Sequence, residues 1–193
     1  LLTDISFVAP AEGIRLRGMS IPEVLNALPK ARGKMPLVGA LYYLLMVGEV
    51  PGKEGAQAVE DEWAKRATVP DYVYKMLKSM PKETHPMTLF SQAVLALQNG
   101  SVFAAKYHSM KKDVYWEAAL EDSLDLTAKL PVIAAYIYRM KYFGESSKPK
   151  YSPKLDYGAN FAKMMKVSDR KGYAELARLY FILHSDHESG NVS

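Results

Sequence analysis

The groups best able to do chemistry crowd the end of the chain. Residues 178–193 read RLYFILHSDHESGNVS, which brings His184, Asp186, His187, Glu188 and Gly190 close together in sequence. A final helix is expected from Arg170 to about His187, with Tyr173, Leu176, Tyr180 and Leu183 as its inward seam. His187 is the next position on that seam. It is there either as a satisfied core residue or as a hydrogen-bond donor. A helix C-terminus favours the imidazolium, and Gly190 and Asn191 allow a tight turn beside it. Such a donor suits a carbonyl or carboxylate ligand. The rival chemistry is metal, because His184-x-x-His187-Glu188 sets two imidazoles about one turn apart near carboxylates. The spacing is not H-E-x-x-H, and His85 and His108 follow no ligand pattern, so no metal is expected.

Other candidates are weaker. His85 precedes Pro86 and Met87 and reads as a polar residue at a helix start, with a substrate contact as the alternative. Glu117, Glu121, Asp122 and Asp125 could pair for acid–base work. Their i,i+4 spacing with Lys129 reads instead as a solvated helix face. Lys111-Lys112 is a basic pair at a helix entry, able to meet a phosphate or simply solvated. The P-loop, the G-x-G-x-x-G fingerprint and the nucleophile elbow are all absent.

Composition narrows the class. The 193 residues are 49% hydrophobic and 24% charged, ordinary for a globular chain. There is no cysteine, which excludes disulfides and thiolate chemistry. The net charge of +4 is spread along the chain and gives no footprint for nucleic acid, though it is compatible with an anionic small ligand. No apolar run approaches the roughly 20 residues needed to span a bilayer, so no membrane partner is expected. The chain opens on Leu1 and stops on its most reactive motif, so a longer polypeptide is expected.

The elements that must position these groups are mostly helices. Residues 1–18 pattern as a β-hairpin with a Pro/Gly turn. Ser20-Ile21-Pro22-Glu23 is a capping box opening a short helix to Leu28, followed by a basic loop over Pro29–Pro36. Leu37–Gly48 is apolar all round and predicts a buried helix. Lys53–Ala67 reads as a surface helix anchored by Trp63. Pro70–Met80 carries Tyr72, Val73, Met76, Leu77 and Met80 at helical spacing, and Thr84–Leu97 carries Leu89, Phe90, Ala93, Val94 and Leu97. Asp113–Tyr142 is the longest pattern, with an apolar stripe of Trp116, Leu120, Leu124, Thr127 and Leu130. Pro131 inside it predicts a kink or two abutting helices. Gly144–Ser152 reads as an exposed loop, and a short helix is expected near Asn160–Lys166. The result is an all-α, multi-helical domain with a small N-terminal β-hairpin.

Several stretches, in this order and spacing, resemble the citrate synthase family, of the eukaryotic mitochondrial type. They are Gly13-Ile-Arg-Leu-Arg-Gly18 with Ser20-Ile-Pro-Glu23, Glu62-Trp-Ala-Lys-Arg-Ala67, His85-Pro-Met87, Tyr115-Trp-Glu117, Ala128-Lys-Leu-Pro131, Ile137-Tyr-Arg139 and His184-Ser-Asp-His-Glu-Ser-Gly-Asn-Val-Ser193.

The resemblance implies condensation of acetyl-CoA with oxaloacetate and water to citrate and CoA, in a homodimer of the mitochondrial matrix. No cofactor is implied, since acetyl-CoA is a substrate. Residues 1–193 would be the N-terminal part of the large domain, with 1–18 as the hairpin, 19–193 as helices and the small domain elsewhere. By motif, His187 would contact oxaloacetate, Asn191 and Ser193 would line its pocket, and Lys112 would meet a CoA phosphate. Lys112 stands where an arginine is usual and keeps the charge without the fork. Ser189 stands where glycine is common. The acid–base histidine and aspartate would lie beyond Ser193, so this piece alone would be inactive. The apolar faces of 70–80 and 84–97 would meet a second subunit. Alternatives are a methylcitrate synthase-like acyltransferase, a metal-dependent helical hydrolase and a non-catalytic helical interaction module.

Overall fold

A computed structural model of the chain describes residues 6–9, 11 and 13–185. The reactive tail beyond Ser185, with His187, Asn191 and Ser193, lies outside the described residues. The chain divides into two compact units, one built from the segments up to Asp61 and from Lys154 onward, the other from Glu62–Pro153.

In the first unit, β1 (Ser6–Ala9) pairs antiparallel with β2 (Gly13–Leu16), Ser6 opposite Leu16 and Ala9 opposite Gly13. A short β3 (Met19–Ser20), not expected from the sequence, pairs with β2. The turn between them places Arg17 at φ 50° and Gly18 at φ 81°. Two positive φ values in a two-residue loop match the right-handed twist of a hairpin. Helix α1 (Ile21–Ala27) begins at the expected box, with the Ser20 backbone N–H donating to the Glu23 carboxylate at 2.7 Å.

Helix α2 (Val38–Val47) is buried at its start and ends on Gly48 at φ 90°, a left-handed cap that glycine adopts without a Cβ clash. It is not buried throughout, because Met46 and Val47 are exposed. Leu16, Val24, Leu28, Leu41, Leu44 and Ile182 close the core of this unit. Helices α8 (Tyr157–Met164) and α9 (Arg170–Leu183) pack on each other. The first begins at Tyr157, ahead of the expected Asn160, because the Asp156 carboxylate accepts the Ala159 N–H at 3.1 Å.

Helix α9 corrects two expectations. It stops at Leu183, with His184 already outside helical geometry, instead of running to about His187. Its buried face is Ala174, Ala177, Arg178 and Ile182, while the expected seam is turned out, with Leu176 58% and Tyr180 57% exposed. Both faces repeat at i, i+3 and i+4, and the one bearing small residues is the one that packs.

Helix α3 (Lys53–Arg66) carries the border between the units. In the second unit, Trp63 is fully buried as expected. Helix α4 (Asp71–Ser79) buries Val73, Tyr74 and Leu77, leaving Tyr72 exposed. Helix α5 (Pro86–Leu97) opens with His85, whose Nδ1 accepts the Met87 N–H at 3.2 Å, so His85 is the helix-start residue the sequence suggested. The long α7 (Tyr115–Phe143) is one helix that contains Pro131. Its expected stripe is wrong at the start, where Trp116 is 63% exposed. The buried run instead spans Ala128 to Arg139 and includes Lys129, at 7% exposure and paired with Asp125. A short α6 (Val102–Lys106) precedes it.

Asp122, expected on a solvated face, holds the start of α6. It accepts the Ser101 hydroxyl at 2.6 Å, the Val102 N–H at 2.7 Å and the Phe103 N–H at 3.0 Å. Asp122→Ala removes the acceptor for all three donors and should lower urea-unfolding stability by about 1–2 kcal/mol, with Asp122→Asn losing less. Parental stability in Asp122→Ala would show that the capping hydrogen bonds contribute nothing.

Candidate functional site

Among the described residues, the buried charges linked into the widest network lie in the first unit. Glu60 sits on α3 in register with Ala56, Trp63 and Ala67, all buried. That stripe makes Glu60 an inward residue on a helix otherwise read as surface, and it is 3% exposed. One carboxylate oxygen accepts the Gly39 N–H in the first turn of α2 at 2.9 Å, the other the Tyr157 N–H in the first turn of α8 at 2.6 Å. A carboxylate between two helix N-termini is favourably placed, since both ends present unpaired donors and positive potential. Burial nevertheless dominates and pushes the Glu60 carboxyl up to about 7, against the pull of the two backbone donors; Asp156 also raises it and Arg178 lowers it.

Beside it, Arg178 of α9 forks onto Asp156, Nε to Oδ1 at 3.0 Å and Nη2 to Oδ2 at 2.8 Å. Its remaining Nη1 donates to Glu175. Burial works against the guanidinium charge, yet the Asp156 and Glu175 carboxylates hold its pKa above the ordinary value. The sequence reasoning passed over all four groups. The available signal was spacing: Glu60 falls on the Trp63 stripe, and Asp156 stands where an N-cap belongs.

Of the expected site residues only Lys112 lies among the described ones, while His187, Asn191 and Ser193 lie outside them. Lys112 opens a single 3-10 turn just before α7 and is exposed. Close by in sequence, Val102, Lys106, Met110, Val114 and Trp116 line an open hollow of about 540 Å³, and Lys112 is not among its lining residues. His184 lies at the end of α9 with Nδ1 3.0 Å from the Tyr180 carbonyl and its ring stacked on Tyr180 at 4.0 Å. These contacts engage it with its own helix. An apolar groove of about 230 Å³ lies between α5 and α7, lined by Met87, Phe90, Ile137, Tyr138 and Tyr142.

The fold is that of citrate synthases. The structure of citrate synthase from Pyrobaculum aerophilum superposes with a TM-score of 0.78 at 25% identity, over 96% of this chain and 45% of that one. The ternary complex of carboxymethyl coenzyme A and oxaloacetate with citrate synthase from Thermoplasma acidophilum gives 0.75 at 18% identity, over 97% of this chain and 45% of that one. The sequence model described as citrate synthase, C-terminal domain, matches residues 1–193, and the chain belongs to the citrate synthase family. It is 48% identical to citrate synthase 4, mitochondrial, of Arabidopsis thaliana over its whole length, and 47% identical to a probable mitochondrial citrate synthase of Caenorhabditis elegans. The chain spans 41% and 42% of the lengths of these two relatives.

The Glu60 environment sets a pH dependence. Because the folded pKa of about 7 exceeds the ordinary 4.5, the folded state binds a proton that the unfolded state releases between those values. Stability therefore falls as pH rises from 4.5 to 7 and is flat with respect to this group above that range. The total loss is on the order of 3 kcal/mol. In the protein carrying this unit, Glu60→Gln should remove that slope from urea unfolding measured across the window. An unchanged slope would exclude Glu60 as its source.

Proposed function

We propose that these residues form part of a mitochondrial citrate synthase, which joins the acetyl methyl carbon of acetyl-CoA to the oxaloacetate carbonyl and hydrolyses the thioester to citrate and CoA. The observation that carries this is identity near one half with mitochondrial citrate synthases along all of the chain. The Thermoplasma complex, whose name records a CoA derivative and oxaloacetate bound together, supports both substrates. The enzyme works as a homodimer in the matrix and uses no cofactor or metal, acetyl-CoA being a substrate.

Within that enzyme, His187 donates a hydrogen bond to the oxaloacetate carbonyl as negative charge builds on its oxygen. Asn191 and Ser193 line the same pocket. Lys112 meets a CoA phosphate as a point charge, without the two-pronged contact of an arginine. The histidine and aspartate that remove the methyl proton are supplied outside these 193 residues. The exposed apolar side chains Met87 on α5 and Tyr142 on α7 suit contact with a second subunit.

The full-length protein should release CoA thiol from acetyl-CoA only when oxaloacetate is present. In it, His187→Ala should lower kcat and raise the oxaloacetate KM. The loss of transition-state stabilisation should be about 2–4 kcal/mol, the range for one donor to a developing oxyanion. Parent-like kcat/KM would remove His187 from the reaction, and no thiol release by the parent would refute the assignment.

A further inference from the structure

Arg178 is an expensive residue to bury, with its side chain only 4% exposed, and its donors are committed to two carboxylates. Asp156 belongs to the first turn of α8, where it also accepts the Ala159 N–H. Glu175, one turn before Arg178 on α9, reaches the other way. Its Oε2 accepts the N–H groups of Lys34 at 2.7 Å and Met35 at 3.1 Å, in the loop before α2. Helix α9 is thus held at two points a turn apart, on the start of α8 and on the loop over residues 29–36.

The surrounding backbone leaves space for this arrangement. A Cβ on Gly158 would lie 2.6 Å from Arg178 Cγ, and one on Gly33 would run into the Glu175 carboxylate. A side chain at Gly158 would press on the Arg178 stem and the α9 backbone, whereas one at Gly33 would meet the flexible end of Glu175. Apolar packing is non-directional and permits small rotations and slides at low cost. A forked, charge-assisted contact fixes rotation and axial position together. The outward face of α9, with Leu176 and Tyr180, makes no competing demand on the register.

We propose that Asp156, Arg178 and Glu175 form a positioning clasp that sets the register of α9 and so the point where the chain leaves it at His184, three residues before His187. Arg178 and Glu175 are then positioning residues for oxaloacetate, touching neither substrate. This rests on the reading of His187 as an oxaloacetate contact.

The test uses the full-length protein with Arg178→Lys, which keeps the charge and loses the fork, and Glu175→Gln, which keeps the size and loses the charge. Ile133→Val, a buried change in the other unit, serves as a control for general destabilisation. Both clasp variants should raise the oxaloacetate KM roughly tenfold, while the acetyl-CoA KM moves by less than about twofold and the control moves neither. Folded variants with parental oxaloacetate KM would overturn the clasp, and Glu175→Gln decides alone if Arg178→Lys does not fold. A parent without thiol release would refute the functional reading only. Amide exchange at residues 181–184 then decides the clasp, faster exchange in the folded variants sustaining it and unchanged exchange overturning it.

Discussion

The fork from Arg178 to Asp156 is the contact on which the first unit depends. It joins α9 to the cap of α8, and through Glu175 and Glu60 the same charge cluster reaches the loop before α2 and the first turns of α2 and α8. Glu60, Asp156 and Arg178 are drawn into a largely apolar interior with Glu175 at its edge, and burying such ions costs several kcal/mol each before any pairing is counted. The cluster is tolerable because nearly every oxygen and nitrogen meets a partner, many of them backbone N–H groups at helix starts. What it supplies is direction. Alanines at 174 and 177 and glycine at 158 bring α8 and α9 close, and the fork then permits one register.

The cluster is also internally opposed. Arg178 favours ionised Glu60, Asp156 disfavours it, and burial outweighs both. Glu60 is consequently a group through which this unit feels pH near neutrality, and it lies among helix termini. The second unit is built differently. Its centre is aromatic, with Tyr74 and Tyr136 edge to face at 4.8 Å, and its charges mostly cap helices or pair near the surface. Lys129 and Arg139 are the exceptions: Lys129 is buried and paired with Asp125, and Arg139 is buried and paired with Glu145, which pins the loop that follows Gly144.

The local signals were well written in the sequence. The box at Ser20 and Glu23, the helix end at Gly48, the His85 cap, the Arg170 start of α9 and the hairpin all stand where their chemistry places them. These depend on a few adjacent residues and on backbone donors that must be satisfied. The choice of face was less legible. On α9 the large apolar residues Leu176 and Tyr180 outweigh Ala174 and Ala177 in any hydrophobic count, yet the alanines pack because α8 approaches closely there. On α7, Trp116 gave a strong apolar signal and is exposed, while Lys129 gave a solvated one and is buried. Glu60 and Arg178 were missed for the same reason: a charge is recognised as internal only when its distant partners are known. The family, by contrast, was legible from ordered motifs spread along the whole chain.

The central claim is that directional charge contacts, more than apolar packing, hold α9 in place. A double-mutant cycle with Asp156→Asn, Arg178→Met and the pair, read by urea unfolding of the full-length protein, tests it most directly. The two losses should be strongly non-additive, with a coupling of about 2 kcal/mol or more. Additive losses would mean that each side chain acts alone and that α9 is held by its alanine face.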